Sequence, residues 1–241
     1  MRVRLRPGLA LATALAFAVL SALGTWQLQR REWKQNLIAS AEARLQAAPI
    51  PFDDAASRAR AGENMEYQPV TLDGAYANDR ESFVFGTHDG DAGVYVFTPF
   101  RVRDSAAGPA RYVYVNRGFA PQDFKSPSAR RDGLIEGAVV VRGLFRSAEI
   151  KRGPEKWLEP QNQPQDNLYF IRDPNVLARR YGLDVSSYYI DAFDETPAGA
   201  FPRGGLTRVE FPNRHLEYAL TWFGLAAALL GVFVAYSIKR D

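Results

Sequence analysis

Gly8-Leu-Ala-Leu-Ala-Thr-Ala-Leu-Ala-Phe-Ala-Val-Leu-Ser-Ala-Leu-Gly-Thr-Trp-Gln-Leu28 holds no charged residue over its length. As an α-helix of 21 residues it extends about 31 Å, close to the thickness of a bilayer's hydrocarbon layer, so it can cross a membrane once. A cleaved signal peptide competes with this reading, since Arg2, Arg4 and Arg6 precede the run and Ala22-Leu23-Gly24 loosely fits a cleavage site. The length of the run, the interface residue Trp26 and the following Arg30 and Arg31 favour an anchor that stays. A second apolar run, Leu216 to Ile238, carries a single acid, Glu217, in its first turn, where a helix N-terminus and lipid headgroups tolerate it. Tyr218 and Trp222 near one end and Tyr236 near the other form interface belts, which makes this stretch a second span.

Everything between the two runs is ordinary globular sequence. The chain has 241 residues, 46% hydrophobic and 24% charged, which excludes wholesale disorder and a polytopic transporter. Its net charge of +3 is concentrated at the ends: five cations against Asp241 give the tails +4 and leave the rest at −1. The basic excess is therefore a topology signal and not a nucleic-acid surface. Both tails are expected on the cytoplasmic side, with about 185 residues outside. The expected organisation is a cytoplasmic tail (1–7), a transmembrane helix (8–28), an extracytoplasmic domain (29–215), a transmembrane helix (216–238) and a short tail (239–241).

The outer domain begins with a helix over 30–48 that continues the first span, its Trp33, Leu37, Ala41 and Leu45 recurring every four residues. Short runs rich in Val, Tyr, Phe and Thr then predict strands at Gln68–Tyr76, Ser82–Phe85, Gly93–Val102, Arg111–Phe119, Gly137–Phe145, Tyr188–Phe193 and Leu206–Phe211. One helix is expected at Pro174–Tyr181, with Asp173 as its cap and Gly182 beyond its end. Residues 53–64 and 153–167 read as loops, and Pro69, Pro99 and Gly118 as strand ends or bends. The fold class is thus a membrane protein with two transmembrane helices flanking a β-rich α+β domain, an antiparallel sheet or barrel.

The inventory of reactive groups is short. With no cysteine, disulfides and thiolate metal sites are excluded, and the two histidines, His88 and His215, sit in no zinc spacing. No phosphate loop, dinucleotide fingerprint or serine elbow is present. His88 with Asp89 could serve as a general base in a membrane-tethered periplasmic hydrolase, but glycines on both sides read more simply as a turn. Asn116, Arg117 and Arg101 could hold an anion, although such residues usually pair on a surface.

His215 differs, because it stands one residue before the second apolar run, at the outer interface. On a helix it shares a face with Tyr218 or Ala219 and with Trp222, while Trp26, Arg30 and Trp33 repeat that spacing on the continuing first helix. Imidazole, guanidinium and indole suit a heme: His215 for the iron, an arginine for propionates, an aromatic plane for the macrocycle. The same residues also make an ordinary interfacial belt, which would leave a heme-free scaffold. Without a Cys-x-x-Cys-His motif, any heme is held noncovalently.

Several blocks carry a family likeness in order along the chain: Gly24-Thr-Trp-Gln-Leu-Gln-Arg30-Arg-Glu-Trp33-Lys34, Tyr67-Gln-Pro69-Val70, Gly93-Val-Tyr-Val-Phe-Thr98-Pro99-Phe100, Val115-Asn116-Arg117-Gly118, Gly205-Leu-Thr207-Arg208 and Asn213-Arg-His215-Leu-Glu-Tyr218-Ala-Leu-Thr221-Trp222-Phe-Gly224. Together they resemble the Surfeit-locus-one family of cytochrome c oxidase assembly proteins, with Phe119 standing where other members often have Trp. The resemblance implies a two-span protein of a bacterial or mitochondrial inner membrane that is not an enzyme and assists insertion of heme a into oxidase subunit one. It implies a heme a site at His215, and it also covers Gly93 and Tyr218. A chain beginning Met-Arg-Val-Arg directly before an anchor favours the bacterial inner membrane. The expected partners are subunit one, heme a synthase and the lipid bilayer, with no nucleic acid. Arg30 and Arg214 are the expected propionate partners by charge and depth, and Trp222 and Tyr218 the aromatic neighbours.

Overall fold

A computed structural model describes residues 2–3, 6–103, 111–150, 160–193, 196–206 and 213–239. In chain order the elements are β1 (Arg2–Val3), α1 (Pro7–Leu45), β2 (Ile50–Pro51), α2 (Phe52–Arg60), β3 (Pro69–Tyr76), β4 (Ser82–His88), β5 (Asp91–Val102), β6 (Tyr112–Pro121), β7 (Val139–Ser147), β8 (Leu168–Tyr169), α3 (Pro174–Ala178), β9 (Val185–Ala192), α4 (His215–Ser237) and β10 (Ile238–Lys239). They divide into two compact units, residues 1–42 with 209–241, and residues 43–208.

The first unit is a helical pair. Both helices are long and apolar enough to cross a membrane, and most of each apolar surface is left exposed, as lipid-facing helices require. At 39 residues α1 is about 58 Å long, nearly twice the hydrocarbon thickness, so the first span and the expected entry helix are one continuous element. The helices run antiparallel. Their ends are joined where β1 pairs with β10, Arg2 opposite Lys239, and the Arg6 guanidinium lies 5.9 Å from the Tyr236 ring. The buried positions are small: Thr13, Gly24 and Ala41 on α1, Ala219, Ala226 and Ser237 on α4. Such residues let helix backbones approach closely where no hydrophobic force acts between them. Hydroxyls at this depth bond back to their own helix, Thr25 Oγ1 to the Ser21 carbonyl and Thr221 Oγ1 to the Glu217 carbonyl, each at 2.9 Å.

The second unit is a closed barrel. The strands follow the order β2-β3-β7-β9-β6-β5-β4-β8, and a further β3–β5 pairing closes β3, β7, β9, β6 and β5 into a ring. Gly74 makes the closure, pairing with Val139 of β7 and with Val102 of β5. Most pairings are antiparallel, but β6 with β9, β4 with β8 and β2 with β3 are parallel. Period-two alternation sorts the side chains of each strand to two faces. Val113 and Val115 of β6 and Ile190 of β9 join a core with Val70, Phe100 and Phe145, while Tyr114 and Tyr189 join Phe97, Tyr169 and Leu177 under α3.

The strands coincide with the first six predicted ones apart from their ends: β4 runs on to His88, β7 begins at Val139 and β9 extends from Val185 to Ala192. The seventh, Leu206–Phe211, lies outside the described residues apart from Leu206, as does 153–159 of the second loop. α3 starts as expected, with the Asp173 carboxylate accepting from Asn175 N at 2.9 Å, but stops at Ala178. Residues 53–64 were expected as a loop, and most of them are helix α2. Asp53 and Asp54 sit in its first turn and Arg58 and Arg60 in its last, complementing the helix dipole, while Phe52, Ala55 and Ala56 bury one face in the barrel core. Pro69 opens β3, whereas Pro99 lies within β5. On one edge β5 leaves β4 at Phe97 and meets β3 from Phe100, and in the gap between them the Pro99 carbonyl accepts from Ala77 N at 2.8 Å, outside the regular ladder that its missing N–H would interrupt.

Candidate functional site

α4 begins at His215, which places this imidazole at the end of the helical pair away from the β1–β10 ribbon. His215 is half-buried, and its Nδ1 lies 2.7 Å from Oε1 of Gln27 on α1. Gln27 follows Gly24 by three positions, so both fall on the face of α1 that meets α4. Against Gly24 lies the ring of Phe223. His215 Nε2 has no hydrogen-bond partner among the described residues. Two residues away, the Asn213 side-chain oxygen is buried and also lacks one.

The expected site residues divide between two faces. Trp222 is half-buried, two turns below His215 on the same side of α4, with Ala219 between them. Tyr218 points away, 55% exposed. Arg214 is exposed immediately before α4. Arg30 is exposed on α1 and stacks its guanidinium 3.9 Å over the Trp33 ring, with Trp33 and Trp26 about half exposed. His215 and Trp222 are thus brought together, and Trp26, Arg30 and Trp33 form a separate outward stripe. Gln27 lies within the Trp26-Gln-Leu-Gln29 block, where the sequence alone assigns it no role. No local feature separates it from Gln29 two positions on, because its role depends on which face of α1 meets α4.

A neutral imidazole with one nitrogen engaged and the other unpartnered is a competent single ligand for a soft or borderline metal. The residues present therefore fit a heme held by one axial histidine, with Trp222 as the flat neighbour. Among the described residues no cluster of three or more His, Asp or Glu could hold a bare metal ion.

The other histidine lies in the barrel unit. Asp89 and Gly90, both with positive φ, form a two-residue turn joining β4 to β5. His88 Nε2 lies 3.3 Å from Asp89 Oδ2, and its ring packs 5.5 Å from Phe119. The imidazole lines a cleft of about 370 Å³ with Tyr67, Tyr95, Asn116, Arg146 and Asp191. Asn116 was expected on the surface but is buried, donating to Asp191 Oδ1 at 2.7 Å, because β6 has a neighbour on each side. Arg146 binds the other Asp191 oxygen and Glu66 Oε1, the latter at 2.6 Å. Burial opposes the Arg146 charge, yet the facing carboxylates outweigh it and hold its pKa above the ordinary value. Among the described residues lining this cleft there is no serine; the aliphatic hydroxyl there is that of Thr87, next to His88 in β4.

Arg117, the other candidate anion ligand, is likewise buried: it reaches Glu81 at 3.8 Å and donates to the Gly133 carbonyl. Arg101 is exposed. Gly93 lies in β5, where a Cβ would stand 2.3 Å from the Ala120 carbonyl oxygen, so its place in the barrel is steric.

Comparison with known proteins places these features in context. The model of the SURF1 family matches residues 14–227. Surfeit locus protein 1 of Rattus norvegicus is 35% identical over 238 residues, covering 92% of this chain and 74% of that protein. The Homo sapiens protein of the same name is 35% identical over 222 residues, covering 86% and 70%. A SURF1-like protein of Monosiga brevicollis is 35% identical over 231 residues, covering 90% and 82%.

Proposed function

This chain belongs to the SURF1 family, and on that premise we propose that it is a membrane-anchored assembly factor for heme-copper cytochrome c oxidase. It receives heme a from its synthase, holds it noncovalently and passes it to oxidase subunit one. The observation that carries this reading is the Nε2 of His215, which has no partner among the described residues at its end of the helical pair, with Trp222 on the same face below it.

His215 would hold the iron through Nε2, Trp222 would lie against the macrocycle, and Arg214, exposed just before α4, would pair with a propionate; Arg30 could join it only by leaving the Trp33 ring over which it is stacked. Tyr218 is exposed beside them and would meet the ligand's edge or lipid. Heme a bound there would supply an iron for the His215 nitrogen to ligate, and no further chemistry is asked of it. One axial protein ligand at an open edge suits release, because a carrier must bind its cargo less tightly than the acceptor does. No bond-making residue is required, and the protein acts as a chaperone rather than an enzyme.

The antiparallel pair supports a retained anchor: cleavage after Gly24 would remove the Gly24–Phe223 packing. From the basic flanks both tails are read as cytoplasmic and the barrel as extracytoplasmic, and the membrane is proposed to be a bacterial inner membrane. The test is the heme a content of oxidase subunit one purified from a host lacking this chain. Content should fall, and recover with the parent but not with His215→Ala. Undiminished heme a in the host lacking the chain would contradict the reading.

A further inference from the structure

We propose that Gln27 is the positioning residue of the His215 site: its side-chain carbonyl accepts the Nδ1–H of His215, which fixes the imidazole tautomer and turns Nε2 outward as a lone-pair donor. This rests on the reading of His215 as an iron ligand.

A neutral imidazole carries one N–H, and the nitrogen without it is the one that can bind a metal. In this structure Nδ1 is 2.7 Å from Gln27 Oε1, an atom that can only accept, so the proton resides on Nδ1. Nε2 then carries the lone pair. Gln27 makes no other side-chain hydrogen bond among the described residues, and its position on α1 is held by the close approach of Gly24 to Phe223 three residues away. The interhelical contact is therefore also the device that aims the ligand.

The choice of glutamine has a chemical consequence. Partners that accept from the distal N–H of a metal-binding histidine fix its ring and raise its basicity, and a carboxylate does so more strongly than an amide carbonyl. An amide orients the imidazole without pushing it toward imidazolate, and adds no charge at the edge of the bilayer. A carrier that must surrender its cargo needs that combination.

The experiment uses the full chain in lipid nanodiscs. Because the sequence has only two histidines, ¹⁵N-histidine NMR of the heme-free protein reports His215 directly once the His88→Gln variant has identified the other signal. The parent should show a protonated Nδ1 and an unprotonated Nε2, Gln27→Leu should move population to the Nε2–H form, and Gln27→Glu should restore Nδ1–H. A parent with Nε2–H, or a spectrum that Gln27→Leu does not change, overturns the proposal.

The second measurement adds heme a. Gln27→Leu should weaken retention by roughly 10- to 100-fold, as loss of such partners does elsewhere, and Gln27→Glu should raise the iron–histidine stretching frequency and lower the reduction potential. Unchanged retention and stretch in both variants also overturn it. If His215→Ala keeps its heme a while the tautomer result holds, the ligand reading fails and the Gln27 contact survives as structure, so the two failures are separable.

Discussion

The ring of Phe223 lies so close over Gly24 that a Cβ built there would stand 2.7 Å from Phe223 Cε1 and Cζ. Real carbon contacts at that distance do not persist, so any side chain at position 24 must displace the ring or separate the helices. Gly24→Val is expected to destabilise the pair by about 1–3 kcal/mol, the usual cost of overpacking. The thermal midpoint in nanodiscs measures this, and Gly24→Val combined with Phe223→Ala should recover most of the loss. A neutral Gly24→Val would show that the two helices do not approach at this point.

In the barrel, Glu81 is buried and binds Arg130 through both carboxylate oxygens, with Thr98 Oγ1 at 3.3 Å and Arg117 at 3.8 Å. Its backbone carbonyl also accepts from Asn167 Nδ2 and from the Tyr181 hydroxyl, at 2.7 and 2.8 Å. Removing the charge leaves a buried guanidinium uncompensated, which costs about 3–5 kcal/mol. Glu81→Gln should therefore lower the thermal midpoint by roughly 10 °C. A shift of a degree or two would mean that water reaches Arg130.

Tyr114 and Tyr189 are fully enclosed, and burial raises both phenol pKa values, helped at Tyr189 by the Asp191 carboxylate. A raised folded pKa means stability that is whole below the unfolded value near 10 and is lost as pH climbs above it, because the unfolded phenols ionise first. Each such tyrosine should contribute a decline of about 1.4 kcal/mol per pH unit in that window. Denaturant midpoints from pH 9 to 12 measure it, and Tyr114→Phe should flatten the slope. A slope equal in parent and variant would place the Tyr114 hydroxyl in water.

His88 tests the barrel cleft. His88→Ala is expected to leave heme a retention and oxidase assembly unchanged, because its carboxylate partner Asp89 belongs to a hairpin turn and no serine is among the described residues lining the cleft. Loss of assembly with intact folding would move the function into the barrel.

What could be read from the sequence follows the range of the forces involved. The two terminal helices were legible because runs such as Leu216–Ile238 are long and apolar enough to cross a bilayer, and strand cores such as Val113-Tyr-Val115 because their residue types suit a pleated sheet. Closure was not legible: Gly74 meeting both Val139 and Val102, and β6 lying parallel to β9, depend on pairings distant in sequence. α2 was missed because its alanines and arginines resemble a polar loop until Phe52, Ala55 and Ala56 are seen to share one buried face. At the site, His215 stood out by its place before an apolar run. Gln27 could not, since its role depends on the register of one helix against another. The aromatic spacing of Trp26 and Trp33 was real, but it marks the outward stripe of α1.

The central claim is that His215 holds heme a through Nε2. The most direct measurement is the heme a content and iron–histidine stretch of the purified chain after coexpression with heme a synthase, parent against His215→Ala. The parent should retain heme a with that vibration, and the variant should lose both. A His215→Ala protein that copurifies with as much heme a as the parent would contradict the claim.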